Sequence, residues 1–247
     1  MGQDFLSDVE LYCTSHSIID DVILIDGEEA HHITHVMRHF QKDVIYITDG
    51  NGAIYKSVIS EIGKRNVLAK AIERIQYENK FSKITFCIPR LRNIDRFEFA
   101  LEKCVELGIT NFIVFDSTRT VAKGEKIERW QKVILSAMKQ SLRAWLPEVS
   151  YAKSISEIYK LDGTKILFDQ TAEKTFNNFL LTDNRSLITD HCFFIFGPEG
   201  GLTEDELRMA NGEPCLPAGR LRIKLTDNRL RSETAIITAA SILTTTL

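Results

Sequence analysis

Two short stretches of the chain combine residue types and spacings that chemistry could use. In the first, the apolar run Phe194-Ile195-Phe196 gives way to Gly197-Pro198-Glu199-Gly200-Gly201, and Thr203 with Glu206 then stands at capping-box spacing for a new helix. Glycines at the carboxyl end of a parallel strand let backbone approach a ligand closely, where open α/β sheets generally bind their ligands. The same residues also suit a plain tight turn. In the second stretch, Leu221-Arg222-Ile223-Lys224-Leu225 alternates apolar and basic residues as a strand does, and a polar turn then feeds a final helix. From Leu216 to Arg231 there are five basic residues, Arg220, Arg222, Lys224, Arg229 and Arg231, against Asp227 alone, so 5 − 1 = +4. Arginines at such a junction can hold RNA phosphate or an anionic base, although pairing with a carboxylate is the commoner fate of a single arginine.

The glycine-rich loop lacks the GxxxxGK[ST] and GxGxxG patterns of nucleotide binders, and Glu199 would set negative charge beside a phosphate. A cofactor with no phosphate and a cationic sulfonium, S-adenosylmethionine, tolerates that carboxylate. A third pattern, His31, His35 and His39 at i, i+4 and i+8 with His32 adjacent, has spacing that metal ligation can use. It has no HExxH and no acidic or cysteine partner placed to complete a site, so no metal is expected.

Alternating short apolar strands and helices must position these residues. In the first third, Val22 to Ile25, Val44 to Thr48, Ala53 to Ser60 and Val67 to Ile75 read as strands, with the Asp49-Gly50-Asn51-Gly52 turn between two of them and a helix over Glu28 to Phe40. A small β-barrel with one helix fits. The polar segment Gln76 to Lys83 separates it from a different pattern, so the domains are expected at 1–75 and 76–247.

In the second part, Ile84 to Ile88, Phe112 to Phe115, Ile166 to Phe168 and Cys192 to Phe196 are strands of nearly unbroken apolar character. Helices are expected over Asp95 to Leu107, with Asp95 and Glu98 at capping-box spacing and Gly108 as the stop, and over Ile127 to Trp145. The alternation implies an α/β domain with a largely parallel sheet. The final helix, from Ser232 towards Leu247, is apolar or small around most of its circumference, and is buried either in the domain or against a second copy of the chain.

Among 247 residues, 44% are hydrophobic and 26% charged, which excludes a fibrous repeat or long disorder. A formal net charge of −3 gives no global sign of nucleic-acid binding, so any RNA contact must be local. The five cysteines form no CxxC pair and read as reduced structural thiols. No apolar run reaches the ~18 residues of a membrane span, and the start of the chain lacks the apolar core of a signal peptide, so the expected location is cytoplasmic with no membrane partner.

Taken together, the segments resemble the RsmE family of the SPOUT class, which methylates N3 of a uridine in 16S ribosomal RNA. His32, Val36, Met37 and Arg38 resemble its H..VLR element. Lys103, Glu106, Leu107 and Gly108 resemble K..ELG, and Ser117-Thr118-Arg119-Thr120 resembles its serine-arginine loop. Ala137, Gln140, Ser141, Arg143 and Pro147 are similar to A..QS.R...P; Gly197 to Gly201 matches GPEGG and Leu230 to Ala235 is similar to LR.ETA. Two positions depart from the family: Glu10-Leu11-Tyr12-Cys13 holds an acid where an arginine is frequent, and Lys42 stands where a glycine usually precedes the aspartate.

The resemblance implies an N-terminal PUA-like β-barrel that docks RNA and a C-terminal SPOUT domain with a trefoil knot. It implies a homodimer acting on 16S ribosomal RNA or the small ribosomal subunit, with S-adenosylmethionine held by Phe168, Gly197, Glu199, Gly200, Gly201, Leu225, Leu230, Arg231 and Thr234. Arg38, Arg119, Arg143, Arg220 and Arg222 are the candidate RNA-binding residues. Arg231 is the candidate for stabilising a uracil anion. Glu199 is the candidate acceptor of the N3 proton, or else positions the cofactor or a backbone amide. The alternatives are a SPOUT enzyme acting on another RNA position and a catalytically silent RNA-binding or ribosome-assembly module.

Overall fold

A computed structural model describes residues 9–183, 190–211 and 220–246. The chain divides into two compact units: one runs up to Asn79 and includes Leu135–Leu146, and the other comprises Lys80–Ile134 and the chain from Pro147 onward.

The first unit is a five-stranded sheet, curled into a half-barrel. Its strands are β1 (Leu11–Cys13), β2 (Val22–Asp26), β3 (Val44–Thr48), β4 (Ala53–Ile62) and β5 (Asn66–Gln76), in the order β1-β3-β4-β5-β2. Two register shifts between β4 and β5, at Lys56/Ser57 and Ile59/Glu61, bend these long strands. Alternation then puts Ile23, Ile25, Ile45, Ile47, Ile59 and Val67 on the inner face, all buried. β1 is too short to announce itself by periodicity; it is held by parallel pairing with β3.

The helix expected over Glu28 to Phe40 is shorter. It consists of α1 (Gly27–His31) and a π-turn (His32–Val36), after which Arg38 takes a left-handed φ of 57° and Met37 and Phe40 are left exposed. The Gly50 and Gly52 turn receives Leu135–Leu146: Gly52 N–H donates to the Ala144 carbonyl at 3.0 Å, and a Cβ at Gly52 would lie 2.4 Å from the Trp145 ring.

The second unit is a six-stranded, wholly parallel sheet. It contains β6 (Ile84–Pro89), β7 (Asn111–Phe115), β8 (Glu148–Ala152), β9 (Thr164–Phe168), β10 (Cys192–Ile195) and β11 (Arg220–Ile223), in the order β11-β9-β10-β6-β7-β8. The helices are α2 (Ile94–Glu106), α3 (Ile127–Gln140), α4 (Ile155–Tyr159), α5 (Phe176–Asp183), α6 (Glu204–Asn211) and α7 (Ser232–Thr246).

Asn93, not Asp95, caps α2, accepting the Arg96 amide at 3.0 Å, and Glu98 pairs with Arg129 instead. α3 stops at Gln140, five residues short of the expected end. Gly108 takes a φ of 93° and terminates α2 as expected. β8 goes unannounced because Glu148–Ala152 is half polar. α7 packs on α2 and α5 and buries Ile236, Ala239, Ala240 and Leu243. Tracing a knot requires the path of residues 184–189 and 212–219, which lie outside the described residues.

Under the carboxyl edge of the sheet lies an aromatic floor. Phe168 stacks on Phe196 at 4.8 Å, and Phe86, Phe176 and Phe194 close around them; such pairs contribute about 0.5–1.5 kcal/mol each beyond their buried area. Across the strand ends, Arg222 forks onto Asp169 through Nε, 3.0 Å from Oδ2, and through Nη2, which also donates to Thr171 Oγ1 at 2.8 Å. Burial alone would raise the Asp169 carboxyl. The Thr171 amide and hydroxyl and the Arg222 guanidinium outweigh it and hold the carboxyl below its usual range.

Two outcomes follow from these local constraints. Lys42 occupies a left-handed φ of 80°, a backbone region that favours glycine. Lys42→Gly should therefore stabilise the protein by about 0.5–1 kcal/mol, read as a higher Tm; an unchanged or lower Tm contradicts the strain. A carboxyl with a depressed folded pKa contributes stability that is present above its unfolded pKa and lost as pH falls through the folded value. Asp169→Asn should melt below the wild type at pH 7, and the gap should close as pH is lowered through about 4 and beyond; a gap that persists at pH 2 contradicts it.

Candidate functional site

β11, β9 and β10 are neighbours and parallel, with Ile223 opposite Phe168 and Leu167 opposite Ile195, so their carboxyl ends share one edge. The segments that leave this edge are bonded to one another. Asp169 N–H donates to the Ile223 carbonyl at 2.9 Å, and Lys224 bridges to Thr175 beyond the strand. Ser232 Oγ donates to the Gly197 carbonyl at 2.8 Å. That single bond ties the glycine-rich loop to the arginine-rich stretch, which are thirty-five residues apart.

The three loop glycines have different reasons to be glycine. Gly201 takes a φ of 70°, and a Cβ on Gly200 would press on the Arg119 Cβ at 3.3 Å. Among the described residues, a Cβ on Gly197 would meet only Leu202 Cγ, at 3.9 Å, so no packing by them forbids a side chain there. Open space beside a glycine whose carbonyl is already anchored is what a ligand lying against the backbone requires. Phe168, Leu225 and Leu230 are half-buried around the same edge, offering apolar surface for a purine and a methylene chain. The donor set of backbone groups, apolar side chains and carboxylate suits S-adenosylmethionine, which carries no phosphate.

Arg231 and Thr234 are exposed at the start of α7. The Arg231 guanidinium is 68% exposed and stands 3.9 Å from Glu233 Oε1, which also lies 3.7 Å from Arg96 Nε. Glu199 Oε1 accepts the Arg92 amide at 3.0 Å. Of the expected RNA-binding residues, Arg119 joins this group, its Nη1 donating to the carbonyls of Gly200 at 3.0 Å and Leu202 at 3.3 Å. Arg222 is committed to Asp169 at the same edge. Arg220 opens β11, and its side chain is outside the described residues. Arg38 and Arg143 belong to the first unit, where both are exposed.

Glu206 fixes the neighbouring loops. Its Oε2 accepts Thr203 N–H at 2.8 Å while Thr203 Oγ1 accepts Glu206 N–H at 3.3 Å, a reciprocal capping box, and its Oε1 accepts Thr118 N–H at 2.9 Å. Sequence reasoning passed over Arg92 and Arg96, and it took in Asp169, Ser232 and Glu233 only as members of the segment after Phe168 and of Leu225 to Thr234, without singling them out. The available signal was positional: Asp169 directly follows β9, Arg92 lies three residues beyond β6, and Ser232 and Glu233 stand between Arg231 and Thr234.

In the first unit His31 and His35 stack at 4.6 Å, and among the described residues no group of three or more His, Cys, Asp or Glu is arranged to hold a metal ion. No helix among the described residues is long and apolar enough to cross a membrane.

Residues 78–244 match the family described as RNA methyltransferase domain, and residues 25–72 match the RNA methyltransferase PUA domain. The ribosomal RNA small subunit methyltransferase E of Bacillus subtilis is 29% identical over 233 residues, covering 88% of this chain and 87% of its own. That of Mesomycoplasma hyopneumoniae is 30% identical over 178 residues, covering 68% of this chain and 73% of its own.

Among solved structures, the Neisseria gonorrhoeae ribosomal RNA small subunit methyltransferase E bound to S-adenosyl methionine superposes with a TM-score of 0.81 at 24% identity, over 96% of this chain and 97% of that one. A Thermotoga maritima protein named as a predicted RNA methyltransferase superposes with a TM-score of 0.69 at 27% identity, over 94% and 96%. The half-barrel is the PUA-like domain and the parallel sheet has the SPOUT methyltransferase fold. With the methyltransferase match spanning most of its length, the chain belongs to the ribosomal RNA small subunit methyltransferase E family of RNA methyltransferases.

Proposed function

We propose that this protein methylates N3 of a specific uridine in 16S ribosomal RNA of the small subunit, using S-adenosylmethionine. The bond from Ser232 Oγ to the Gly197 carbonyl carries the reading, because it puts the glycine-rich loop and the arginine-rich stretch at one edge with Phe168. Family membership and the relatives' names supply the reaction class and the small-subunit RNA. The N3 position rests on the family resemblance of the motifs.

In this reading Phe168, Gly197, Gly200, Gly201, Leu225, Leu230 and Thr234 form the cofactor seat, and the bound sulfonium supplies an electrophilic methyl group. N3 of uridine lies on the pairing edge of the base and carries a proton, so the nucleotide must be unpaired and turned out, and positioning provides much of the rate. As N3 loses its proton, charge spreads onto the flanking carbonyl oxygens. Arg231, exposed at the start of α7 and only loosely held by Glu233, is free to meet one of them.

Glu199 already accepts the Arg92 amide. This occupation favours its role as a holder of backbone over that of proton acceptor. Arg38 and Arg143, in the PUA-like unit, and Arg119 contact RNA away from the reacting base. The half-buried Ile237 and Ile242 of α7 suit a second copy of the chain, giving a homodimer in the cytoplasm.

Mass spectrometry of nucleosides from small-subunit RNA incubated with the protein and S-adenosylmethionine should detect 3-methyluridine. A different methylated nucleoside would move the target, and none would leave an RNA-binding module. Arg231→Ala should lower kcat about 100-fold while the Kd for S-adenosylmethionine stays within about threefold; equal kcat in the variant removes Arg231 from the reaction.

A further inference from the structure

The Gly197–Gly201 loop has two sides. The ends of β9 and β11 lie on one, with the cofactor seat. On the other, the ends of β6 and β7 border an open cleft of about 610 Å³, lined by Arg92, Arg96, Arg119, Val121, Glu199 and Gly200, the last of which also belongs to the cofactor seat. Neither Arg92 nor Arg96 lies in the Gly197–Gly201 stretch or in the Leu230–Ala235 stretch.

The charges of this cleft are unbalanced. Among the described residues the Arg92 guanidinium has no ion pair, and Arg119 donates only to the neutral carbonyls of Gly200 and Leu202. Arg96 shares the single carboxylate of Glu233 with Arg231, at distances of 3.7 Å and 3.9 Å. The lining itself carries Arg92, Arg96 and Arg119 against Glu199, so 3 − 1 = +2, on a chain whose net charge is −3. Positive charge concentrated in a cleft focuses the field on an anionic ligand.

The arginines are also held in place. Glu199 fixes the Arg92 backbone, the Asn93 side chain caps the helix that carries Arg96, and Glu206 clamps Thr118 beside Arg119. The Arg92 guanidinium, held by its backbone with its fork unengaged among the described residues, is suited to bidentate contact with phosphate oxygens, and Arg96 and Arg119 keep donors beyond the Arg96 Nε near Glu233 and the Arg119 Nη1 on carbonyls.

We propose that this cleft seats phosphodiester groups of the RNA strand flanking the target nucleotide, with Arg92 and Arg96 joining Arg119 as the residues that hold them. The inference rests on the methyl-transfer reading above. A small carboxylate would satisfy one guanidinium and leave the others unmatched. A strand with a charge at every nucleotide can reach all three, which come from two loops and one helix. Val121, 74% exposed at the rim, offers apolar surface to a ribose or base.

The test compares the full-length wild type with Arg92→Gln, Arg96→Gln and the double variant, using deproteinised small-subunit ribosomal RNA as the probe. The affinity for RNA is measured across salt concentrations, the affinity for S-adenosylmethionine by calorimetry, and methyl transfer in parallel. Loss of a phosphate contact lowers the slope of log K against log salt by about 1. The double variant should bind RNA at least about tenfold more weakly, with a slope smaller by about 2, and bind S-adenosylmethionine within about twofold of wild type. An unchanged slope overturns the proposal, as does weakening confined to S-adenosylmethionine. If the double variant shows the smaller slope but the wild type transfers no methyl group to this RNA or to small ribosomal subunits, the functional reading fails and the phosphate cleft stands.

Discussion

The site depends on one geometric constraint: β11, β9 and β10 run parallel and in register, so their carboxyl ends open on a single edge. Everything that could bind a cofactor is delivered to that edge by the chain leaving each strand. A parallel sheet does this because its strands all point one way, and its twist and helical cover make the edge concave. The Ser232 hydroxyl on the Gly197 carbonyl converts adjacency into a fixed relation. Removing that bond would leave the loop tethered through its other wall, where Glu199 holds Arg92 and Arg119 holds Gly200 and Leu202.

Three glutamates divide the work around the loop. Glu206 is 5% exposed and saturated by Thr118 and Thr203, so it acts as a fastener between the ends of β7 and β10. Glu199 binds a backbone amide at the end of β6. Glu233, between two guanidiniums at long range, leaves both free to exchange it for a ligand anion. This distribution explains how a chain of net negative charge can present a positive cleft: Glu199 and Glu206 are engaged in holding backbone, while Arg92 and Arg96 keep their charge.

The parts legible from sequence were those with strong local signals. The buried strands of the parallel sheet announced themselves as unbroken apolar runs, the Thr203–Glu206 box formed as spaced, and Gly108 stopped its helix. Signals that depended on partners far along the chain were silent. β1 exists through pairing with β3, α3 ends early where Leu142 takes a left-handed φ of 54° and Ala144 and Leu146 bond to the Gly50–Gly52 turn, and the cap of α2 moved two residues because Asn93 outcompeted Asp95. At the site, glycines and arginines were visible by type, but the bonding of Arg222 to Asp169 and the company of Arg92 and Arg96 needed the sheet order. Lys42 is a case in the other direction, since a departure noticed in sequence coincides with a left-handed backbone position.

The central claim is that the edge of β11, β9 and β10 is where S-adenosylmethionine binds. Hydrogen–deuterium exchange of the full chain, with and without saturating S-adenosylmethionine, tests it most directly. Protection should concentrate in the segment after Phe168, in Gly197–Gly201 and in Leu225–Thr234, with the half-barrel unchanged. Saturable binding that leaves all three segments unprotected would contradict the account.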